Sequence, residues 1–593
     1  MDRKVLLAMV LIMAVLFLDQ MISPKFYRRS KPAPVPSQQG GAPGQAGSGT
    51  QAPGSASTPA PVGGSQTGAP AGDAPAIGPP GVPGGTPPGA TPPGAIPTGG
   101  TPSDPAGTLS SGAVLTRPRV LPAPTQEREM KTEHFRATFT SEGGAISHWI
   151  LDSYKDDVRN QPVDLVPPGA RAFHVVVEAA GRALDFADAP FRILEDNALG
   201  GVMSFEAEEE SGIRVTKTYR VGRDRRILET DVRVSAPPQL GPIRYRIGWG
   251  PALPITEPST KREELKAVAL LGTKMEDVPA SKLGPNGERV VPPGNVRWVA
   301  NRSKYFIAAV IPDSGTVSDV VFRSAGTGLV GAWLLGAAPP GATVARHARV
   351  YAGPIHYETL ATVGSGLDEV ANLGWKWMRG ISVLMLKCLN LLHRMMPNYG
   401  VAIILLAAAT KFLFYPLTQS SLRSMKLMHH LQPQIKELQE KYKGDPMKLN
   451  QAMMTLYKEN KVNPMSGCLP MLLQVPVFIA LYNVLLFSIE LRSSGFVGYI
   501  RDLSAPDVLM TVAGFPIHLM PIVMTASTYL LQSQTPVAPA QKGMMYVMPL
   551  FMLFFMYSFP SGVILYWTVN NILSALQQYL VNLAEDRKLA AQA

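Results

Sequence analysis

Tyr399-Gly-Val-Ala-Ile-Ile-Leu-Leu-Ala-Ala-Ala-Thr-Lys-Phe-Leu-Phe-Tyr-Pro-Leu417 decides the fold of this chain. The run is apolar and, at about 1.5 Å per residue in a helix, long enough to cross a bilayer. It carries one exception, Lys411. A cation at the centre of a membrane helix costs at least about 2.5–3.5 kcal/mol, so an intramembrane lysine is a functional residue by default. Lys411 lies 12 positions after Tyr399, about 18 Å along a helix. Its side chain either snorkels to the headgroups or faces a water-filled cavity.

Working outward, further apolar runs occupy residues 469–489, 508–531, 544–559 and 563–580. With residues 5–18 near the N-terminus, the count is six transmembrane helices. The loop after the second span carries Arg423, Lys426, Lys436, Lys441, Lys443, Lys448, Lys458 and Lys461, whereas the loop after the third carries only Arg492 and Arg501. Positive charge marks the cytoplasmic side. That assigns the loop 421–468 and both termini to the cytoplasm. Lys25, Arg28, Arg29 and Lys31 oppose the assignment, but long translocated segments follow the charge rule poorly.

No Asp or Glu lies inside spans two to six. This speaks against carboxylate proton relay, cation carriage and aspartyl proteolysis. The block contains no nucleophile-elbow, zincin or phosphate-loop motif, so no enzyme is expected. Two cysteines, Cys388 and Cys468, make neither a disulfide framework nor a structural zinc site. No cofactor or metal is expected. The lining candidates beside Lys411 are Thr410, Gln474, Tyr566, Thr568 and Asn570. Polar residues recurring across spans face one another or water.

Before the core, residues 1–24 form an anchor without a small-residue cleavage site. Residues 25–124 form a Pro/Gly-rich linker: between Lys31 and Pro124 lie 22 of the 55 prolines and 20 of the 54 glycines. Such composition buries no core, and a coil of this length spans about 50–60 Å. From 125 to 354 the pattern alternates with period two. Val215-Thr-Lys-Thr-Tyr-Arg-Val221 and Ile227-Leu-Glu-Thr-Asp-Val-Arg-Val234 are expected to flank a hairpin turn. Short strands of this kind indicate a β-sandwich. Residues 367–396 read as helix, and the segment 355–397 as an interfacial region with Trp375 and Trp377 at headgroup level. A five-helix core is expected over 398–584, and a short tail over 585–593.

The loop 421–468 reads as a helical hairpin. Leu431, Ile435, Leu438 and Tyr442 form one stripe, and Leu449, Met453, Leu456 and Tyr457 a second. Asp445 and Pro446 are the N-cap and first residue of the second helix. Met425, Met428, Met447, Met453, Met454 and Met465 provide adaptable apolar contacts.

Phe414-Tyr-Pro-Leu-Thr418, Leu431-Gln-Pro433, Lys461-Val-Asn-Pro464, Gly467-Cys-Leu-Pro470, Gln474-Val-Pro476, Phe559-Pro-Ser-Gly562 and Leu565-Tyr566 resemble the YidC family of membrane protein insertases. Thr216-Lys-Thr-Tyr219 and Tyr351-Ala-Gly-Pro354 resemble the outer domain of its Gram-negative members. The resemblance implies a polytopic all-α core plus a periplasmic all-β supersandwich in the inner membrane. It implies a hydrophilic groove open to the cytoplasm, with Lys411 as its cation where bacterial members typically carry arginine. Trp567 stands where the family often has a substrate-contacting tyrosine. Nascent membrane proteins are the implied clients. The Sec translocon, ribosome and targeting components are the implied partners of Met425, Met428, Leu431, Pro433, Ile435, Met453 and Tyr457. Two other functions remain open from the residues alone: a small-solute transporter or channel, and a sugar-binding outer domain.

Overall fold

The structure is a computed structural model. It describes residues 115–590 apart from 258–263, 284–286, 292–293, 314–318, 325–329, 461–468 and 535–541. The expected anchor, most of the expected linker, and Lys461, Met465 and Cys468 lie outside the described residues.

The alternating segments pair as antiparallel strands. Arg214–Val221 and Ile227–Ser235 are neighbours in register, with Tyr219 opposite Thr230. They belong to a nine-stranded sheet; the β-unit also contains a seven-stranded and a four-stranded sheet. Side chains from the sheets share one core. The ring of Tyr219 lies 5.5 Å from that of Phe173 and 4.9 Å from that of Phe139, and Trp149 lies 5.9 Å from Trp249. Period-two burial drives this arrangement, because alternate residues leave water together. Strand pairing already begins at Leu115–Thr116, against Ala183 and Leu184. The β-unit therefore starts inside the segment read as linker: Leu115 and Val120 are apolar residues that the Pro/Gly count obscured.

One cation is sealed in this core. Lys217 is fully buried, and its Nζ donates to Gly143 O at 2.7 Å and Phe173 O at 3.0 Å.

The helices that follow are α1 (Tyr357–Val363), α2 (Arg379–Met395), α3 (Tyr399–His430), α4 (Gln432–Lys441), α5 (Pro446–Glu459), α6 (Leu469–Phe487), α7 (Leu519–Gln534), α8 (Lys542–Met556) and α9 (Ser561–Ala590). Among the described residues, Tyr399–Ser424 is the stretch both long and apolar enough to cross a bilayer on its own; Gln474–Phe487 and Tyr546–Met556 are shorter apolar stretches. Helix α9 packs against α3 and α7, and α2 against α3 and α6.

Three sequence expectations change. Residues 367–396 are not one helix: a 3-10 turn at Leu367–Val370 is followed by non-helical chain up to Arg379. Gly374, at φ +90°, sits in that break. The span read as 508–531 becomes helical only at Leu519, because Met510–Val512 and Phe515–Ile517 pair as a small hairpin. Helix α3 continues to His430, through Pro416, so Met425 and Met428 lie on its extension and not in the helical hairpin. Proline removes one backbone hydrogen bond, a loss that packed membrane helices tolerate. The expected hairpin itself is α4 and α5, with Asp445 accepting from the Lys448 N–H at the start of α5.

Candidate functional site

The site is built where α3 and α9 meet. Thr410 is buried on α3, and its hydroxyl donates to Ala407 O at 2.9 Å. Tyr566 on α9 is buried beside Thr410. The two helices pack together here, at the level of Lys411. Lys411 is half-buried, and among the described residues it forms no ion pair. An unpaired ammonium in a helical core stays charged only where water reaches it.

Tyr566, Asn570, Ser574 and Gln577 follow one another at helical spacing, so they share one face of α9. Asn570 is half-buried. Gln577 is buried, and its Nε2 has no hydrogen-bond partner among the described residues. Thr568 is turned away from this stripe and donates to Ile564 O of its own helix at 2.8 Å, which satisfies it locally. Trp567 packs edge-on against Phe478 of α6, with ring centroids 4.7 Å apart. Gln474 lies one turn before Phe478 on the same face of α6 and is half-buried. The structure thus sets Thr410 and Tyr566 side by side, with Lys411 next to Thr410 on α3. Trp567 and Gln474 form a second patch on the α6 side, and Thr568 belongs to neither.

A polar contact outside the expected set is Asn571. Its Nδ2 donates to Ser527 Oγ at 3.2 Å and Thr528 Oγ1 at 2.8 Å on α7. The sequence signal was present as Ser527-Thr528 in an apolar run, but a pair so far apart in the chain is not visible from one helix alone.

The end of the core nearest the β-unit is closed by packed loops. Asn398 Nδ2 donates to Phe496 O at 2.9 Å. A Cβ on Gly400 would lie 2.0 Å from Phe496 Cδ2, so only glycine admits this approach. At the start of α9, Ser561 N donates to Ala505 O at 2.8 Å, Ser561 Oγ to Asp502 O at 2.9 Å and Gly562 N to Leu503 O at 2.9 Å. Glu490 beside this closure lies 3.4 Å from His356 Nε2, and burial pushes its carboxyl above the usual carboxylate range.

At the opposite end, α4 and α5 contain no buried residue of their own. Leu431, at their junction with α3, is buried. Ile435, Met453 and Tyr457 are half-buried between the two helices, Met428 is half-buried on α3, and Pro433 is exposed. Met447 and Met454 are exposed apolar side chains. The side chain of Met425 lies outside the described ones. No group of three or more His, Cys, Asp or Glu able to hold a metal occurs among the described residues.

Comparison with known proteins places this geometry. The family described as 60Kd inner membrane protein matches residues 391–588, and the YidC periplasmic domain matches residues 128–385. A membrane protein insertase YidC from Syntrophus aciditrophicus is 34% identical over 77% of this chain and 85% of its own length. One from Geobacter metallireducens is 32% identical over 81% of this chain and 91% of its own. A solved structure of an active YidC insertase with its first transmembrane domain resolved covers 78% of this chain and 95% of that one, at 17% identity and a TM-score of 0.33.

Proposed function

The chain belongs to the YidC family of membrane protein insertases, and from that premise we propose that it inserts nascent proteins into the inner membrane through a wet groove beside Lys411. The observation that carries this reading is the half-buried Lys411 with no ion pair among the described residues. The absence of Asp and Glu from the spans leaves no internal counter-ion to neutralise it. A groove holding water and a free cation attracts the acidic or polar outer segment of a client. Water there lowers the cost of carrying polar chain partway into the bilayer.

Closure at the β-unit end supports a groove that opens toward the cytoplasm. It argues against a channel open to both sides. Topology follows from loop charge: the β-unit is periplasmic, and α4 and α5 are cytoplasmic. The client's hydrophobic span leaves past α6 and α8 into lipid, driven by partitioning, so the process includes no catalytic step. Trp567 and Gln474 line the exit, while Tyr566, Thr410 and Asn570 line the polar side. The apolar side chains of α4, α5 and the α3 extension receive chains from the ribosome, targeting components or the Sec translocon, and the protein works alone or with that translocon. It also assists folding of what it inserts.

The test is depletion of the native protein and complementation by variants. Lys411→Arg retains insertion of single-span clients with an acidic outer segment, and Lys411→Glu loses it. Wild-type insertion by the Lys411→Glu variant would show that the groove charge is not what recruits the client.

A further inference from the structure

A small hairpin replaces the first part of the expected fourth span. Met510, Thr511 and Val512 pair with Ile517, Pro516 and Phe515. Ala513 and Gly514 turn the chain at φ +50° and +83°, the paired positive angles of a tight hairpin turn. Every residue from 508 to 516 is exposed. From Val508 to Ile517 there is no charged residue, and Thr511 is the only polar side chain. Phe515 is 76% exposed, and Met510 and Val512 are each more than half exposed. A two-stranded ribbon this short is marginal in water, and one without a buried face gains nothing from folding there.

The root of the ribbon, by contrast, is fixed. Asp507 Oδ2 accepts from Met520 N at 2.9 Å and from the Tyr499 hydroxyl at 3.0 Å. His518 Nδ1 donates to Asp507 O. The Tyr557 hydroxyl at the end of α8 donates to Pro516 O at 3.0 Å. A mobile loop does not need four such ties; they hold the ribbon at a set angle at the start of α7. That helix exposes Ile522, Val523 and Leu530 immediately beyond. Arg501 is exposed and lies with Asp502 at the cleft beside the root.

We infer that the ribbon 508–517 is a membrane-interface anchor whose occupant is the outer leaflet, the tip resting at the boundary between headgroups and acyl chains. Both faces of the ribbon are apolar, whereas a docked protein covers one face and leaves the other in water. Fluid lipid covers both. The ribbon continues the apolar surface of α7, so the lipid that bathes one reaches the other. Its backbone ladder is paired internally, as shallow insertion requires. Three residues per strand reach about 10 Å, comparable to the depth of interfacial elements, about 5–10 Å. Arg501 at the root stands at the level of lipid phosphates. The inference rests on α7 crossing the membrane, and the experiment separates the two.

The full chain, with Cys388 and Cys468 replaced by serine, is reconstituted in phosphatidylethanolamine–phosphatidylglycerol vesicles. Nitroxide labels are placed singly by Phe515→Cys, Val523→Cys on α7 and Leu199→Cys on a fully exposed turn of the β-unit. Collision with oxygen reports lipid, and collision with a water-soluble nickel chelate reports solvent. The label at 515 is expected to behave like that at 523, with oxygen dominant, and opposite to that at 199. Nickel dominance at 515, with 523 still in lipid, overturns the anchor alone. Shielding of 515 from both reagents also overturns it, because that is the signature of a protein contact. Nickel dominance at 523 overturns the span itself, and the anchor with it.

Discussion

As the groove cation proposed above, Lys411 would supply charge without the planar fork of a guanidinium. Among the described residues no carboxylate pairs with Lys411, so fork geometry would find no partner there. Point attraction of a client through water needs charge only. Lys217, in the β-unit, is the contrasting case: a lysine with no water and no client. Burial lowers its ammonium to about 7, opposed by the charge of Asp185. The neutral amine still has two N–H groups for its two carbonyl acceptors, Gly143 O and Phe173 O. His174 nearby is lowered to about 4 by burial. Both groups bind protons less tightly when folded than when unfolded. Stability therefore rises with pH as His174 deprotonates between about 4 and its unfolded value of about 6.5, and as Lys217 does between about 7 and about 10.5. Urea unfolding of the full chain, followed by β-unit tryptophan fluorescence, is expected to show a higher midpoint at pH 9 than at pH 6. Lys217→Met is expected to reduce that difference. It also lowers the midpoint at pH 9, since two buried carbonyls lose their donor at about 1–3 kcal/mol each. An unchanged pH difference in the variant would assign it to other groups.

At the scale of elements, the lid over the β-unit end of the core depends on close backbone approach. Gly400 meets the Phe496 ring, and Gly562 has Leu503 O at 3.0 Å from where its Cβ would stand. Gly400→Ala forces the phenyl ring aside, a kind of overpacking that costs about 1–3 kcal/mol. The expected outcome is that a cysteine at Thr410 becomes reactive toward a membrane-impermeant thiol reagent added from the periplasmic side. Adding Phe496→Leu is expected to restore protection. If Gly400→Ala leaves the cysteine protected, the lid does not rely on this contact. The elements differ in how far their sequence revealed them. The Val215–Val221 and Ile227–Val234 hairpin was legible because each strand buries alternate residues, a purely local signal. Lys411 and Thr410 were legible because charge and hydroxyl stand out in an apolar run. The ribbon at 508–517 was not, since exposed apolar residues look the same in a helix or a strand. Nor was the separation of Thr568 from the stripe of Tyr566 and Asn570: composition places polar residues in a span, and only rotation about the helix axis decides which of them face the same way.

For the whole molecule, one cation joins the β-unit to the helical core. The side chain of Arg492, just after α6, is 2% exposed, and its Nε lies 2.7 Å from Glu257 Oε1. Its Nη2 lies 3.5 Å from Asp157 Oδ2 and donates to Lys155 O. The guanidinium also lies 5.4 Å from the Phe306 ring and 6.0 Å from that of Tyr305. Loop charge had marked Arg492 only as a sparse positive residue on the outer side; its partners lie more than 200 positions away. A buried pair of this kind is costly to break from one side, about 3–5 kcal/mol, because the remaining charge stays in a dry site. Replacing both members with apolar residues of similar size costs much less. Arg492→Met is therefore expected to raise hydrogen exchange in two places at once, at Ile489–Leu491 and at the strand Gln161–Asp164. Arg492→Met with Glu257→Leu is expected to recover much of the protection at both. Exchange that rises at one segment only would mean that Arg492 stabilises its own loop and does not hold the two units together. Coupled loss and coupled recovery would identify it as the pin through which the β-unit fixes the outer end of α6, and with it the wall of the groove that carries Gln474 and Phe478.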